Sequence, residues 1–274
     1  TGLSAVDYRL TTPHLEPTTA TTPAASGGAG PSALPTVETP LPITAPLTCY
    51  LPRGEATPLT PVPLLTKTSP AQISFACLAA PAHLNDQTLT LFAQLLHALP
   101  QSTLTLLAPE GSYRDRTQEF LTHNNIAPAR IFFTLPQPGL AHFQLFHAID
   151  ISLDTFPNNA HHIALDSLFM GVPVITLTPP LSDPLPNPLS RTTHSHLTHL
   201  GLQDLSTTTP ATFIETAKQL AADPQRLTYL RHNLRNRMRA SPLMNPSQLA
   251  RALESAYRHA WHTWCDQHPT PALS

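Results

Sequence analysis

Residues 149–177 read IDISLDTFPNNAHHIALDSLFMGVPVITL, and their reading decides the fold. Ile149–Leu153 is an apolar strand candidate, and the polar turn Asp154–Ala160 follows it. His161–Met170 has the texture of a helix, and Gly171 suits a left-handed residue that stops it. Val172–Leu177 is a second strand, with Pro173 expected at its start because proline brings no N–H to a ladder. A strand, a helix and a strand in this order make a crossover unit, whose strands lie parallel.

The same alternation extends outward. Gln72–Leu78, Ser102–Ala108 and Arg130–Thr134 are further short apolar strands. Asp86–Ala98 carries Leu89, Phe92, Leu95 and Leu96 at helical spacing and is ended by Pro100, while Arg114–Asn124 and Leu140–Ala148 are shorter helix candidates. Short strands alternating with helices imply an α/β fold, a Rossmann-like parallel sheet with helices on both faces. Ligands in such sheets bind at the carboxyl ends of the strands, so the loops after Leu78, Ala108, Thr134, Leu153 and Leu177 are the ones to inspect.

The rest of the chain is helical. Pro210–Ala222 and Pro224–Ala240 each begin at a proline, which a first helical turn tolerates. In the second, Leu227, Leu230, Leu234 and Met238 form one stripe, and Arg226, Arg231, Arg235, Arg237 and Arg239 fall mostly around the remainder. Those arginines read as a solvated face, with a basic surface for an anionic partner as the sharper alternative. Gln248–Trp264 places Leu249, Leu253, Tyr257 and Trp261 at helical spacing, as core or as a brace across a domain boundary.

Composition bounds the function. Of 274 residues only 12% are charged, against ~25% in an ordinary soluble domain. There are 32 prolines and 15 histidines, and the net charge of -2 gives no field for nucleic acid or a membrane. Three scattered cysteines, Cys49, Cys77 and Cys265, suggest neither a disulfide framework nor a zinc ribbon and fit a reducing, cytoplasmic compartment. No apolar run approaches the ~20 residues of a membrane span. The chain starts at Thr1 without an initiator methionine, as expected of a piece of a longer protein. Residues 1–70 read as a lead-in segment and a connector; residues 11–70 are rich in proline and threonine, loosest at Thr18–Pro31, and regular structure should be scarce there. Residues 71–268 read as the folded lobe with its C-terminal helices.

The turn after Leu153 has chemistry of its own. A diphosphate needs backbone N–H groups and hydroxyls at a helix N-terminus, where the helix dipole favours negative charge. A ribose diol needs a carboxylate, and Asp166 lies about one and a half turns into the helix at ~3.6 residues per turn. Plain capping of the helix by Asn159 would explain the turn without any ligand.

The stretch FPNNAHHIALDSLFMGVPVITL resembles the signature FPYNGxTTxxDALWMGVPVVTL of the O-linked N-acetylglucosamine transferase (SPINDLY-like) family. Other pieces are similar in the same order: TGLSAVDYRL at 1–10, PAHLND at 81–86, Ser190-Arg191 followed by Leu200-Gly201-Leu202, LRHNLRNRMRASPL at 230–243 and WHTWC at 261–265. The resemblance implies the C-terminal, donor-binding lobe of a GT-B glycosyltransferase. It implies a nucleotide sugar such as UDP-N-acetylglucosamine as donor, no metal cofactor, and Ser or Thr of a protein as acceptor. A missing N-terminal lobe and tetratricopeptide repeats would complete the parent chain.

Carried over residue by residue, the resemblance gives His142 the role of stacking on the base, His161 the opening of the phosphate helix, and Asp166 the ribose. Arg191 keeps an arginine of the family without a derivable role. His162 and Ile163 stand where the family has two threonines, so backbone N–H groups remain but both hydroxyls are gone. His83 stands at the catalytic loop lysine that neutralises the leaving diphosphate. An imidazole with a reference pKa of ~6.5 is mostly neutral at pH 7, where lysine carries a full charge. Ala80, Asn158 and Ala160 replace a polar residue, a tyrosine and a glycine. The alternative to an enzyme is therefore a diverged lobe that keeps the fold and acts as a binding or scaffold module.

Two other sites read weakly. His194, His196 and His199 invite a metal, but on a helix only His196 and His199 share a face, and no carboxylate or cysteine completes the set. No Gly-x-Ser-x-Gly elbow supports a Ser-His-Asp triad.

Overall fold

The structure, a computed structural model, describes residues 6–16, 38–52, 58, 72–178, 180 and 187–268. Within them a six-stranded parallel sheet forms the centre, built from β3 (Ser74–Cys77), β4 (Thr103–Leu107), β5 (Ile131–Thr134), β6 (Ile151–Leu153), β7 (Val174–Leu177) and β8 (Ser206–Thr207). Its order is β5-β4-β3-β6-β7-β8. The chain walks outward from β3 to β5, then returns to lay β6 on the other side of β3. The order therefore reverses between β3 and β6, and a crevice opens there at the strands' carboxyl ends.

The strands sit where the apolar runs lie, each trimmed by a residue or two at its ends. Pro173 precedes β7, as its missing N–H requires, and its carbonyl accepts from Ser152 N at 2.9 Å. Helix α1 (Asp86–Ala98) has the boundaries expected: Asn85 caps it by accepting from Thr88 N. Its buried face, with Phe92, Leu95 and Leu96, joins Phe75, Leu104 and Ile151 of the sheet in the main core. Each such side chain, fully withdrawn from water, contributes roughly 1.5–3 kcal/mol before entropy is subtracted. Helix α2 (Ser112–His123) covers the β4–β5 crossover, and α3 (Leu140–Gln144) continues as a 3-10 turn over Leu145–Ala148.

Helix α4 (His161–Phe169) connects β6 to β7 and stops at Gly171, whose φ is 76°. A Cβ on Gly171 would lie 2.4 Å from the backbone oxygen of Arg231, so conformation and space both demand glycine. That oxygen belongs to α7 (Pro224–Arg239), which follows α5 (Thr192–His199) and α6 (Pro210–Ala221).

Two of the five arginines of α7 depart from both sequence expectations, while Arg239 is exposed. Arg231 and Arg235 are buried, at 1% and 8% exposure. Arg231 donates to the carbonyls of Phe146, Met170 and Ile149, and Arg235 donates to Phe169 O at 3.0 Å. Burial pulls the Arg231 guanidinium down to about 10, which leaves it cationic at neutral pH. These two side chains are neither a solvated face nor a basic surface. They donate to carbonyls in and just after the 3-10 turn that follows α3 and at the C-terminal end of α4.

The lead-in segment contributes a small strand pair beside the lobe. Among its described residues β1 (Tyr8–Thr11) and β2 (Thr39–Pro42) pair in parallel, Leu10 opposite Leu41. Thr18–Pro31 lies outside the described residues. The last helix, α8 (Pro246–Gln267), packs Leu249, Leu253 and Ala256 against Leu41, Ile43 and Ala45 beside this pair. Its stripe then runs on past the core: Tyr257 and Trp261 are 58% and 62% exposed, so they are not core residues. No helix among the described residues is long and apolar enough to cross a membrane.

Candidate functional site

The crevice between β3 and β6 is walled by the two loops that leave those strands. The β3 loop passes through a 3-10 turn, Pro81–His83, and the β6 loop runs from Asp154 to Ala160. They are tied together across the switch point. Asn85 Nδ2 and Thr88 Oγ1 both donate to Phe156 O at 2.7 Å, and Phe156 N donates back to Thr88 Oγ1 at 3.3 Å.

Asp154 organises the second loop. Its Oδ1 accepts from Thr155 N at 2.8 Å and Ala160 N at 3.0 Å, and its Oδ2 accepts from Thr176 Oγ1 at 3.0 Å. The carboxyl is buried, and that burial raises its pKa against the hydrogen bonds that lower it. Asn159 does not cap α4. It donates to Thr155 O and Thr176 Oγ1, while its Oδ1 accepts from Thr193 N at 3.3 Å at the start of α5. The N-cap position falls to Ala160, and no side chain caps this helix. Its leading N–H groups, on His161, His162 and Ile163, therefore open the crevice with the positive end of the helix dipole behind them. That arrangement suits an anionic oxygen.

Four histidines act on one another at this end. His161 and His162 meet edge to face with ring centroids 5.6 Å apart. Burial lowers the pKa of both, and His83 adds to the shift in each case. His142 also lowers His162, while Asp166 opposes it. Like charges from the β3 loop, α3 and the first turn of α4 thus act on one another, which places His83, His142, His161, His162 and Asp166 in one electrostatic neighbourhood. Unliganded, His161 and His162 favour the neutral form and offer N–H donors rather than positive charge. The Ile163 side chain packs half-buried against the core, so that position contributes only its backbone N–H.

One turn further along α4, Asp166 receives two donors. His142 Nε2 stands 3.0 Å from Oδ2, and the Tyr50 hydroxyl donates to Oδ1 at 2.7 Å. His142 is itself held edge-on against Phe143 and Phe146. A donating Nε2 fixes its tautomer, with the proton on Nε2. Tyr50 arrives from the lead-in segment and was not among the residues singled out from sequence; no local pattern connects it to a carboxylate 116 positions away.

Arg191 gains a structural role: its Nε donates to His14 O at 3.0 Å and ties the lead-in segment to the lobe. The histidines of α5 lie behind the crevice. His196 is buried beside His161, ring centroids 6.3 Å apart, and neither of its ring nitrogens has a partner among the described residues. Burial pulls His196 down to about 3 and His194 to about 4. Among the described residues no three His, Cys, Asp or Glu side chains converge as metal ligands. Cys77, buried under the β3 loop, is pushed up to about 12 and is no nucleophile.

The chain is similar to known proteins over most of its length. The family pattern described as glycosyl transferase family 41 matches residues 72–253. A probable UDP-N-acetylglucosamine–peptide N-acetylglucosaminyltransferase SPINDLY of Petunia hybrida is 31% identical over 97% of this chain and 27% of its own length. A UDP-N-acetylglucosamine–peptide N-acetylglucosaminyltransferase of Caenorhabditis elegans is 25% identical over 65% of this chain and 15% of its own. Among solved structures, a mutant O-GlcNAc transferase of Thermobaculum terrenum superposes with a TM-score of 0.73 at 27% identity, covering 97% of this chain and 47% of that one. The chain thus spans 27% of the length of the first curated relatives it matches.

Proposed function

Because the chain belongs to glycosyl transferase family 41, we propose that it is the donor-binding part of a protein O-glycosyltransferase. The donor is UDP-N-acetylglucosamine or a closely related nucleotide sugar, and the acceptor is Ser or Thr of a protein. A second lobe and tetratricopeptide repeats belong to the parent chain, which works in the cytoplasm. The observation that carries this reading is the uncapped N-terminus of α4 at the sheet's switch point, with Asp166 one turn along it. The diphosphate lies against the N–H groups of His161, His162 and Ile163, the ribose at Asp166, and the base by His142.

In this arrangement the helix N-terminus and the imidazoles bind and orient the diphosphate. His83 donates a hydrogen bond to the leaving oxygen, a smaller stabilisation than an ammonium would give. Calorimetric titration with UDP tests the site directly: binding is expected, and its absence at millimolar nucleotide with a folded protein rejects the reading. His83→Lys is expected to tighten UDP about tenfold, by adding a full charge beside the diphosphate.

The pH dependence carries a sign. In the free site His161 and His162 have lowered pKa values, whereas a bound diphosphate favours their cationic forms. UDP binding therefore takes up protons, and affinity rises as pH falls from 8 towards 6, by up to about tenfold per proton per pH unit. Titrations in two buffers of different ionisation enthalpy count the protons; release instead of uptake contradicts the assignment of these histidines to the diphosphate.

A diverged binding module is the second reading, favoured by the loss of the lysine and both threonine hydroxyls at His83, His162 and Ile163. It predicts UDP binding without turnover when the whole parent protein is assayed with donor and acceptor.

A further inference from the structure

We propose that the Tyr50 hydroxyl positions the Asp166 carboxylate for a sugar diol, holding one lone pair of Oδ1 so that the acceptor sites left free match the two hydroxyls of a ribose. The inference rests on the donor-site reading above and adds to it a residue from outside the α/β lobe.

The lone pairs can be counted. An ionised carboxylate offers about four acceptor sites, two on each oxygen. Tyr50 takes one on Oδ1 at 2.7 Å, and His142 Nε2 takes one on Oδ2 at 3.0 Å. One site then remains on each oxygen, and a vicinal diol has two O–H donors to fill them. Asp166 is still reachable, its side chain 18% exposed. With His142 alone the carboxylate could turn about its terminal torsion; a second donor on the other oxygen fixes its plane.

Tyr50 is itself well anchored. Its backbone N–H donates to Leu243 O at 2.7 Å, and its ring packs on Phe169 with centroids 5.7 Å apart. Phe169 lies in the same helix as Asp166, so the phenol and the carboxylate share one rigid frame. Burial, then the adjacent Asp166, pushes the phenol pKa far up, and the hydroxyl stays a donor throughout the ordinary pH range. A tyrosine that merely filled the core would need the ring and not this aim.

Tyr50→Phe keeps the ring and deletes the donor. Calorimetry with UDP and with 2′,3′-dideoxy-UDP, on the wild type and the variant, separates the roles. The variant is expected to bind UDP about tenfold more weakly, a typical loss for a hydrogen bond to a charged group, and to bind the dideoxy analogue as the wild type does. Equal losses on both ligands, or no loss on UDP, overturn the positioning role while the donor site stands. Failure of the wild type to bind UDP overturns the donor reading and this inference with it. Should Tyr50→Phe not fold, the Tyr50 hydroxyl proton is followed by NMR in the wild type. UDP must shift it and the dideoxy analogue must not, and an equal response to both rejects the proposal.

Discussion

Asp154→Ala is expected to lower the unfolding free energy by about 3–5 kcal/mol, measured by chemical denaturation at pH 7. The side chain is buried and serves three donors: Thr155 N, Ala160 N and Thr176 Oγ1. Two of them are backbone N–H groups in a loop with little water access, and each costs roughly 1–3 kcal/mol when left unpaired. Alanine also leaves a small void beneath the crevice. Asp154→Asn is the informative companion. An amide oxygen can still accept from both N–H groups, and its NH2 can donate to Thr176 Oγ1, so the loss should fall to about 1 kcal/mol. UDP affinity should follow the same order, since Asp154 sets where Ala160 hands the chain over to α4. A stability for Asp154→Ala within 1 kcal/mol of the wild type, allowing about ±0.5, would show that the loop is held by other means.

The sheet was legible because its cues are local. Apolar runs bounded by proline, glycine or polar turns marked the strands from β3 to β7, and Pro100 marked the end of α1. Helix α4 was legible for the same reason, and resemblance pointed to His142 and Asp166, which the fold brings together. What escaped was everything made by distant contacts. Tyr50 lies in a Pro/Thr-rich stretch that reads as connector, and only the folded chain brings it to Asp166. At ~100° per residue a helical wheel sets Arg231 at the edge of the leucine stripe, beside Met238, and Arg235 further round, but it cannot reveal that the carbonyls of Phe146, Phe169 and Met170 wait opposite them. The wheel likewise continues the stripe of α8 through Trp261, whereas the neighbouring strand pair ends sooner. Pairing of β1 with β2 joins segments far apart in sequence and leaves no periodic trace. In each case the missing information is which partner stands opposite, a property of tertiary structure rather than of the segment.

The same lesson applies to His196, where the largest pH effect is expected. Its ring is 2% exposed, and neither nitrogen finds a partner among the described residues. Burial, reinforced by His161 and His199, pulls its pKa from 6.5 to about 3. A histidine with a lowered folded pKa stabilises the fold above its unfolded value of ~6.5 and loses that contribution as pH falls towards the folded value. At ~1.4 kcal/mol per unit, one proton costs about 2–3 kcal/mol of stability by pH 4.5. His161, His194 and His199 shift the same way and steepen the slope, whereas Asp154, whose pKa is raised, loses its contribution as pH rises and opposes them in the acid range. His196→Leu isolates the one ring. Leucine is of similar volume, suits a helix and has no nitrogen to leave unpaired. The variant should be at least as stable as the wild type at pH 7. At pH 4.5 it should exceed the wild type by about 2–3 kcal/mol more than it does at pH 7. Denaturation midpoints from pH 7 to 4.5 read this difference directly. Parallel profiles for the two proteins would mean that His196 is solvated or paired in solution, and that the acid sensitivity of the lobe lies with the histidines nearer the crevice.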